Sequence, residues 1–237
     1  MRSDLPKVLQ PLAGRPMLAH VLDCAQAIHA DDICVVYGHG GERVRAEFPS
    51  TAIRWALQAE QLGTGHAMLQ AMPGTPDDNL VLVLFGDVPL LTVATLRAML
   101  DAAREDELWV LTVDMEDPTG YGRILRNADG VTGIVEEKDA SPAQKAITEI
   151  NTGVMLCPGP QLKTWLGRLS NDNAQGEYYL TDVVAMAVAE GVPVHGIKAL
   201  DSMEVMGIND RKQLAEAERA LQARLVEELM TQGVGFA

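Results

Sequence analysis

The side chains of this chain best suited to chemistry are oxygens and amides standing where apolar runs stop. In LVLVLFGDVPLL, Asp87 follows Gly86 at the end of a continuously apolar run and lies two residues before Pro89. A lone carboxylate there suits Mg2+, which takes one or two protein oxygens and leaves its other positions to water and phosphate oxygens. It equally suits capping of the turn that follows. In VMGINDRKQLAE, Asn209 opens a long helical pattern, the usual place of an N-cap amide. A third cluster, LQAEQLGTGHAM (residues 57–68), sets two glutamines, two glycines, a threonine and a histidine between a strand pattern and a helix pattern. Two glycines opening a helix bare backbone N–H groups and let a ligand or another segment come close; a tight turn capped by Thr64 is the plainer alternative.

The elements that must position these groups alternate along the chain. PMLAHVLDCAQAIH predicts a helix with Met17, Val21, Cys24 and Ile28 on one face, and DICVVYGHG a short strand ending in glycine. NLVLVLFGD and LWVLTVDM predict further strands, separated by the amphipathic helix VATLRAMLDAAREDE with Thr92 as its cap. Continuously apolar strands imply burial on both faces, which points to a mostly parallel sheet covered by helices, with ligands beyond the carboxyl ends of the strands. GRILRNADGVTGIVEEKDA predicts a hairpin-like insertion around an Asp-Gly turn. The C-terminal segment predicts a long helix with Leu214, Ala217, Leu221 and Leu225 on one stripe.

Composition limits the function. The chain has 237 residues, 47% of them hydrophobic, enough for a sizeable core. Its formal net charge of −14 argues against a nucleic-acid surface, and no apolar run approaches the roughly 20 residues that span a bilayer. The polar N-terminus is unlike a signal peptide, so the expected location is cytoplasmic. Cys24, Cys34 and Cys157 lack the spacing of a zinc site or disulfide framework and read as small buried hydrophobes.

Seven motifs in order, SDLPKVLQPLAGRPML, QAEQLGTGHAM, LFGDVPLL, DPTGYGRI, GIVEEKDA, EINTGV and SNDNAQGEYYLTD, resemble the bacterial N-acetylglucosamine-1-phosphate uridylyltransferase domain from Leu5 to about Glu218. The resemblance implies an α/β fold of the three-layer, Rossmann-like nucleotide-diphospho-sugar transferase type with a mostly parallel mixed sheet. It implies Mg2+-dependent transfer of UMP from UTP to N-acetylglucosamine 1-phosphate, giving a UDP-sugar for cell-wall precursors and pyrophosphate. Such chemistry asks for in-line positioning and neutralised phosphate charge, with no protein nucleophile. By similarity, Asp87 and Asn209 hold the metal and Lys7 reaches the phosphates. Gln58 and the Gln61–Thr64 segment, Gly63 included, form the uridine side, where an amide offers a donor and an acceptor to the base. Phe85 and Gly86 line the substrate site beside Asp87. Gly122, Glu136 and Asn151 hold the sugar, with Tyr179 nearby. His39 and His66 are read as structural or loop residues. A pyrophosphorylase for another base or sugar, or a non-catalytic binding module, remain the rival readings.

The family pattern also sets expectations about the ends. It starts with an apolar strand and a glycine-rich phosphate loop, of which Met1 resembles the last residue, and it continues into an acetyltransferase of hexapeptide repeats. The chain therefore reads as a nucleotidyltransferase unit over 1–209 and a helix over 210–237 leading to that second domain, through which a homotrimer is expected. With the phosphate loop outside the sequence, the expected activity of residues 1–237 alone is low.

Overall fold

The computed structural model describes every residue except Arg2, His39, Thr51, Asp77, Asp129 and Ala237. After a 3-10 turn over Lys7–Leu9, the short antiparallel strands β1 (Pro11–Leu12) and β2 (Arg15–Pro16) lead into α1 (Met17–Ala27). Next come β3 (Ile33–Tyr37), α2 (Glu42–Glu47), β4 (Ile53–Leu57), α3 (Thr64–Ala71), β5 (Leu80–Val83) and α4 (Val93–Ala102). Thr92 caps α4 as predicted, its hydroxyl accepting the Thr95 N–H at 3.2 Å. The second half holds β6 (Leu108–Asp114), β7 (Arg123–Asn127), β8 (Gly130–Val135), α5 (Pro142–Lys145), β9 (Glu149–Pro158), α6 (Gly159–Leu166), α7 (Asp182–Ala189), β10 (Val194–Lys198) and α8 (Arg211–Thr231).

The central sheet is mixed, with strand order β10-β6-β9-β7-β8 and β5 lying along the second half of β9. Its antiparallel share is larger than expected: β10 and β6 run parallel, but β9 is antiparallel to β6, β5 and β7, and β7 to β8. Burial on both faces is what makes a strand continuously apolar, and that is blind to the direction of its neighbour. The expected hairpin is β7–β8, and β7 joins it to β9, so it extends the sheet instead of standing apart as an insertion. Asp129 of its predicted turn lies outside the described residues.

Successive residues of one strand feed opposite cores. Leu108 and Val110 of β6 pack with Trp165 of α6 and Val183 of α7, and Met68 of α3 joins that cluster. Leu111 and Val113 pack with Leu96 and Met99 of α4, joined by Cys24 and Ile28 from α1 and its end. Helices thus cover both faces, the three-layer arrangement expected. Cys157 is buried in the first core, and burial pushes its thiol pKa up to about 12; all three cysteines are free.

The parallel pair β3–β4 stands apart from this sheet. Among the described residues β3 pairs with β4 alone and β5 with β9 alone, and residues 33–38 and 80–86 line one cavity of about 1200 Å³. On α8, Ala217 is buried against Leu12, Met17, Leu90 and Ile208, with Leu214 and Leu221 beside it. The predicted stripe stops there, because Leu225 is 45% exposed.

Candidate active site

Three distant segments meet at one point. Asp87 follows β5 by four residues, and its backbone oxygen accepts the Ile208 N–H at 2.9 Å, which brings the start of α8 against the end of β5. The neighbouring Asn209 is not the cap of that helix. Asp210 takes the role, its carboxylate accepting the Gln213 N–H at 2.8 Å within a capping box. The Asn209 side chain is left to the site. Between the two lies Lys7, whose Nζ donates to Asp87 Oδ2 at 2.5 Å and to Asn209 Oδ1 at 2.9 Å.

The glycine loop between β4 and α3 meets another segment of the chain. Tyr178 donates its N–H to Leu62 O and accepts the Gly65 N–H, both at 2.8 Å. A Cβ on Gly63, which has φ +105°, would come within 2.7 Å of Tyr178 O, and one on Gly65 within 2.3 Å of Leu169 Cδ1. Gly63 has no room for a side chain against this backbone, and at Gly65 the Leu169 side chain would have to shift. Thr64 is not the expected cap: Gly63 precedes the helix, and the Thr64 hydroxyl accepts the Leu180 N–H at 3.1 Å. Gln58 is buried, with its amide nitrogen donating to Gly63 O at 3.0 Å and lying 3.2 Å from His66 Nδ1. That nitrogen braces the loop. Gln61 packs its amide over Gly38, at the end of β3. His66 Nε2 lies 3.3 Å from Gln70 Nε2 within α3, while His39 lies outside the described residues.

The residues expected on the sugar side converge as well. The Asn151 N–H donates to Gly122 O at 2.8 Å, and a Cβ on Gly122 would lie 3.3 Å from Glu136 Oε1 and 3.0 Å from Ile134 Cγ2. Asn151 stands at an irregularity in β9, where the pairing with β6 jumps from Val110↔Met155 to Thr112↔Asn151. Its Oδ1 accepts the Gly153 N–H at 3.0 Å, and Gly153 has φ +88°. Bulges of this kind re-aim side chains next to sites. Phe85 packs on Gly153, where a Cβ would strike its ring at 2.5 Å. A Cβ on Gly86 would lie 3.3 Å from both Val8 Cγ1 and Leu18 Cδ1, closer than ordinary contact. Glu136 is half-buried, and burial raises its pKa; the Thr181 hydroxyl, donating to Oε1 at 2.9 Å, pulls it back, while Asp182 and Asp139 push it further up. The Tyr179 hydroxyl donates to Asp139 Oδ2 at 3.3 Å.

Two residues of this region carried no sequence role. Thr181 holds Glu136. Arg123, 2% exposed, donates to the backbone oxygens of Tyr121, Ile147 (3.1 Å) and Lys145 (3.4 Å) and pairs with Glu137 at 2.6 Å. It thereby ties the Gly122 turn to the strand ends that carry Glu136 and Asn151. The signal was an arginine between Gly122 and an apolar Ile124, a position in a strand that a cation occupies only when paired.

Beyond β5 the mixed α/β sheet thus gathers a carboxylate, an amide and a lysine, and the comparisons give the class of protein that carries them. The chain belongs to the MobA-like NTP transferase domain family, whose model matches residues 1–169. It is 57% identical over 235 residues to Bifunctional protein GlmU of Pseudomonas aeruginosa (strain LESB58), covering 99% of this chain and 52% of that protein. Bifunctional protein GlmU of Aromatoleum aromaticum (strain DSM 19018 / LMG 30748 / EbN1) is 56% identical over the same shares. The chain thus spans about half the length of these curated relatives. Among the described residues, no helix is long and apolar enough to cross a membrane.

Proposed function

We propose that this chain carries the site of a Mg2+-dependent uridylyltransferase that converts UTP and N-acetylglucosamine 1-phosphate into UDP-N-acetylglucosamine and pyrophosphate. The supporting observation is the convergence of Asp87 Oδ2 and Asn209 Oδ1 on one ammonium. Two hard oxygens already arranged around positive charge are a donor set that fits Mg2+. Asp87 and Asn209 would hold the ion, which when bound neutralises phosphate oxygens.

The chain's own residues do the rest. Lys7, on its flexible stem, offers three donors to phosphate oxygens. The backbone of the Gln61–Thr64 loop, braced by Gln58, forms the wall against which the uracil is set. Gly122 leaves room beside the Glu136 carboxylate, and Glu136 and Asn151 bind and orient the sugar so that its phosphate oxygen faces the α-phosphorus. A new P–O bond forms there, the bond to the bridging oxygen breaks, and pyrophosphate leaves with the electron pair. In the same reading residues 1–209 are the catalytic unit, and α8 leads toward the further length present in the relatives, where trimer contacts would lie.

Asp87→Asn tests this assignment. In the chain preceded by an apolar strand and a glycine-rich phosphate loop, it should lower Mg2+-dependent pyrophosphate release by about two powers of ten or more, because a magnesium site with few protein ligands loses its one formal charge. The melting temperature should stay close to the parent's. Near-normal release would remove Asp87, and the reading with it.

A further inference from the structure

The metal seat of the proposed site holds the chain's own cation. Lys7 Nζ bridges Asp87 Oδ2 and Asn209 Oδ1 at 2.5 and 2.9 Å. Resting on the uridylyltransferase reading, we propose a second role for Lys7: it occupies the seat until a divalent ion and a triphosphate arrive together, and then moves onto the phosphates.

The backbones that carry the two oxygens are held without Lys7. Asp87 is anchored through its backbone oxygen to Ile208, and the Asn209 N–H donates to Gln213 Oε1 at 2.7 Å. Lys7 itself is held at its backbone by the 3-10 turn, where its oxygen accepts the Gln10 N–H at 3.1 Å, so its stem is the mobile part. With its side chain 35% exposed, it also lines the cavity that runs between β3 and β5, as Gly86 does. It can therefore swing away without unfolding anything.

Charge gives the swing a direction. With Lys7 in place Asp87 is neutralised, and an incoming divalent ion meets an ammonium on both of its ligands. A triphosphate supplies the ammonium with new anionic partners and frees the seat. Metal and nucleotide then bind cooperatively, each raising the other's affinity by the same factor.

Mn2+ binding to the chain, followed by the paramagnetic resonance of the free ion with no nucleotide present, tests the proposal. Lys7→Met and Lys7→Gln should both bind Mn2+ more tightly than the parent, by roughly tenfold. Adding Asp87→Asn to Lys7→Met should remove the gain. A lysine that merely supports the fold would leave Mn2+ affinity unchanged or lower on removal, and that result in both variants overturns the proposal. If the parent binds Mn2+ with UTP yet the variants show no gain without it, the resident-cation role fails and the metal site stands. If neither the parent with UTP nor either variant binds Mn2+ in an Asp87-dependent way, the uridylyltransferase reading fails as well.

Discussion

In the proposed site, Glu136 is a residue where stability and binding oppose each other. Burial holds its carboxyl pKa above the ordinary 4.5, with Asp182 and Asp139 adding to the shift against the Thr181 hydrogen bond. A raised folded-state pKa means that the native state binds the proton more readily than the unfolded chain. Glu136 is therefore costly to the fold above its raised pKa, and the cost disappears as pH falls through that value to about 4.5. Glu136→Gln should accordingly raise the melting temperature at pH 7–8, with the gain shrinking toward pH 5. It should also weaken binding of N-acetylglucosamine 1-phosphate by about tenfold or more, since a charge-assisted bond to the sugar is lost. Calorimetric melts across that pH range, with titration of the sugar phosphate, check both halves. A lower melting temperature at neutral pH would show that the charge serves the fold.

At the scale of elements, loops and turns carry the site, and their shape depends on partners far away in sequence. Arg123 is the clearest case, because its guanidinium joins the turn before β7 to the region before β9 and to Glu137. Arg123→Lys keeps the buried charge and loses the fork. It should weaken sugar-phosphate affinity by roughly tenfold while UTP affinity stays within about twofold, as separate titrations would show. Equal loss for both ligands would mean a general loosening of the fold.

The same long reach explains what could be read from the sequence and what could not. Local signals held where a residue's partner is a neighbour, as with Thr92 three residues before Thr95. They failed where it is not: Thr64 looks like a cap, but its partner Leu180 is 116 residues away. Asn209 also looks like a cap until Asp210, one residue on, is seen to form the better one. The direction of β9 was equally hidden, since its apolar run is the same in either orientation.

For the whole molecule, the cavity between β3 and β5 is the largest structural fact bearing on activity. Two strands that have one partner each among the described residues border about 1200 Å³ lined by Val35, Val36, Val81 and Val83, with Lys7 and Gly86 also in its lining. An extended apolar segment would fit there, and a glycine-rich turn following it would bring backbone N–H groups toward the phosphates. Preceded by such a segment, the chain should gain thermal stability and activity. The most direct test of the central claim is pyrophosphate release with Mg2+ by the chain with that apolar strand and glycine-rich loop in front of it. UTP with N-acetylglucosamine 1-phosphate should be turned over at least ten times faster than CTP with the same sugar or UTP with glucose 1-phosphate, in line with ~1–3 kcal/mol per lost paired contact. Equal rates across the three pairs, or a clear preference for another base or sugar, would contradict it.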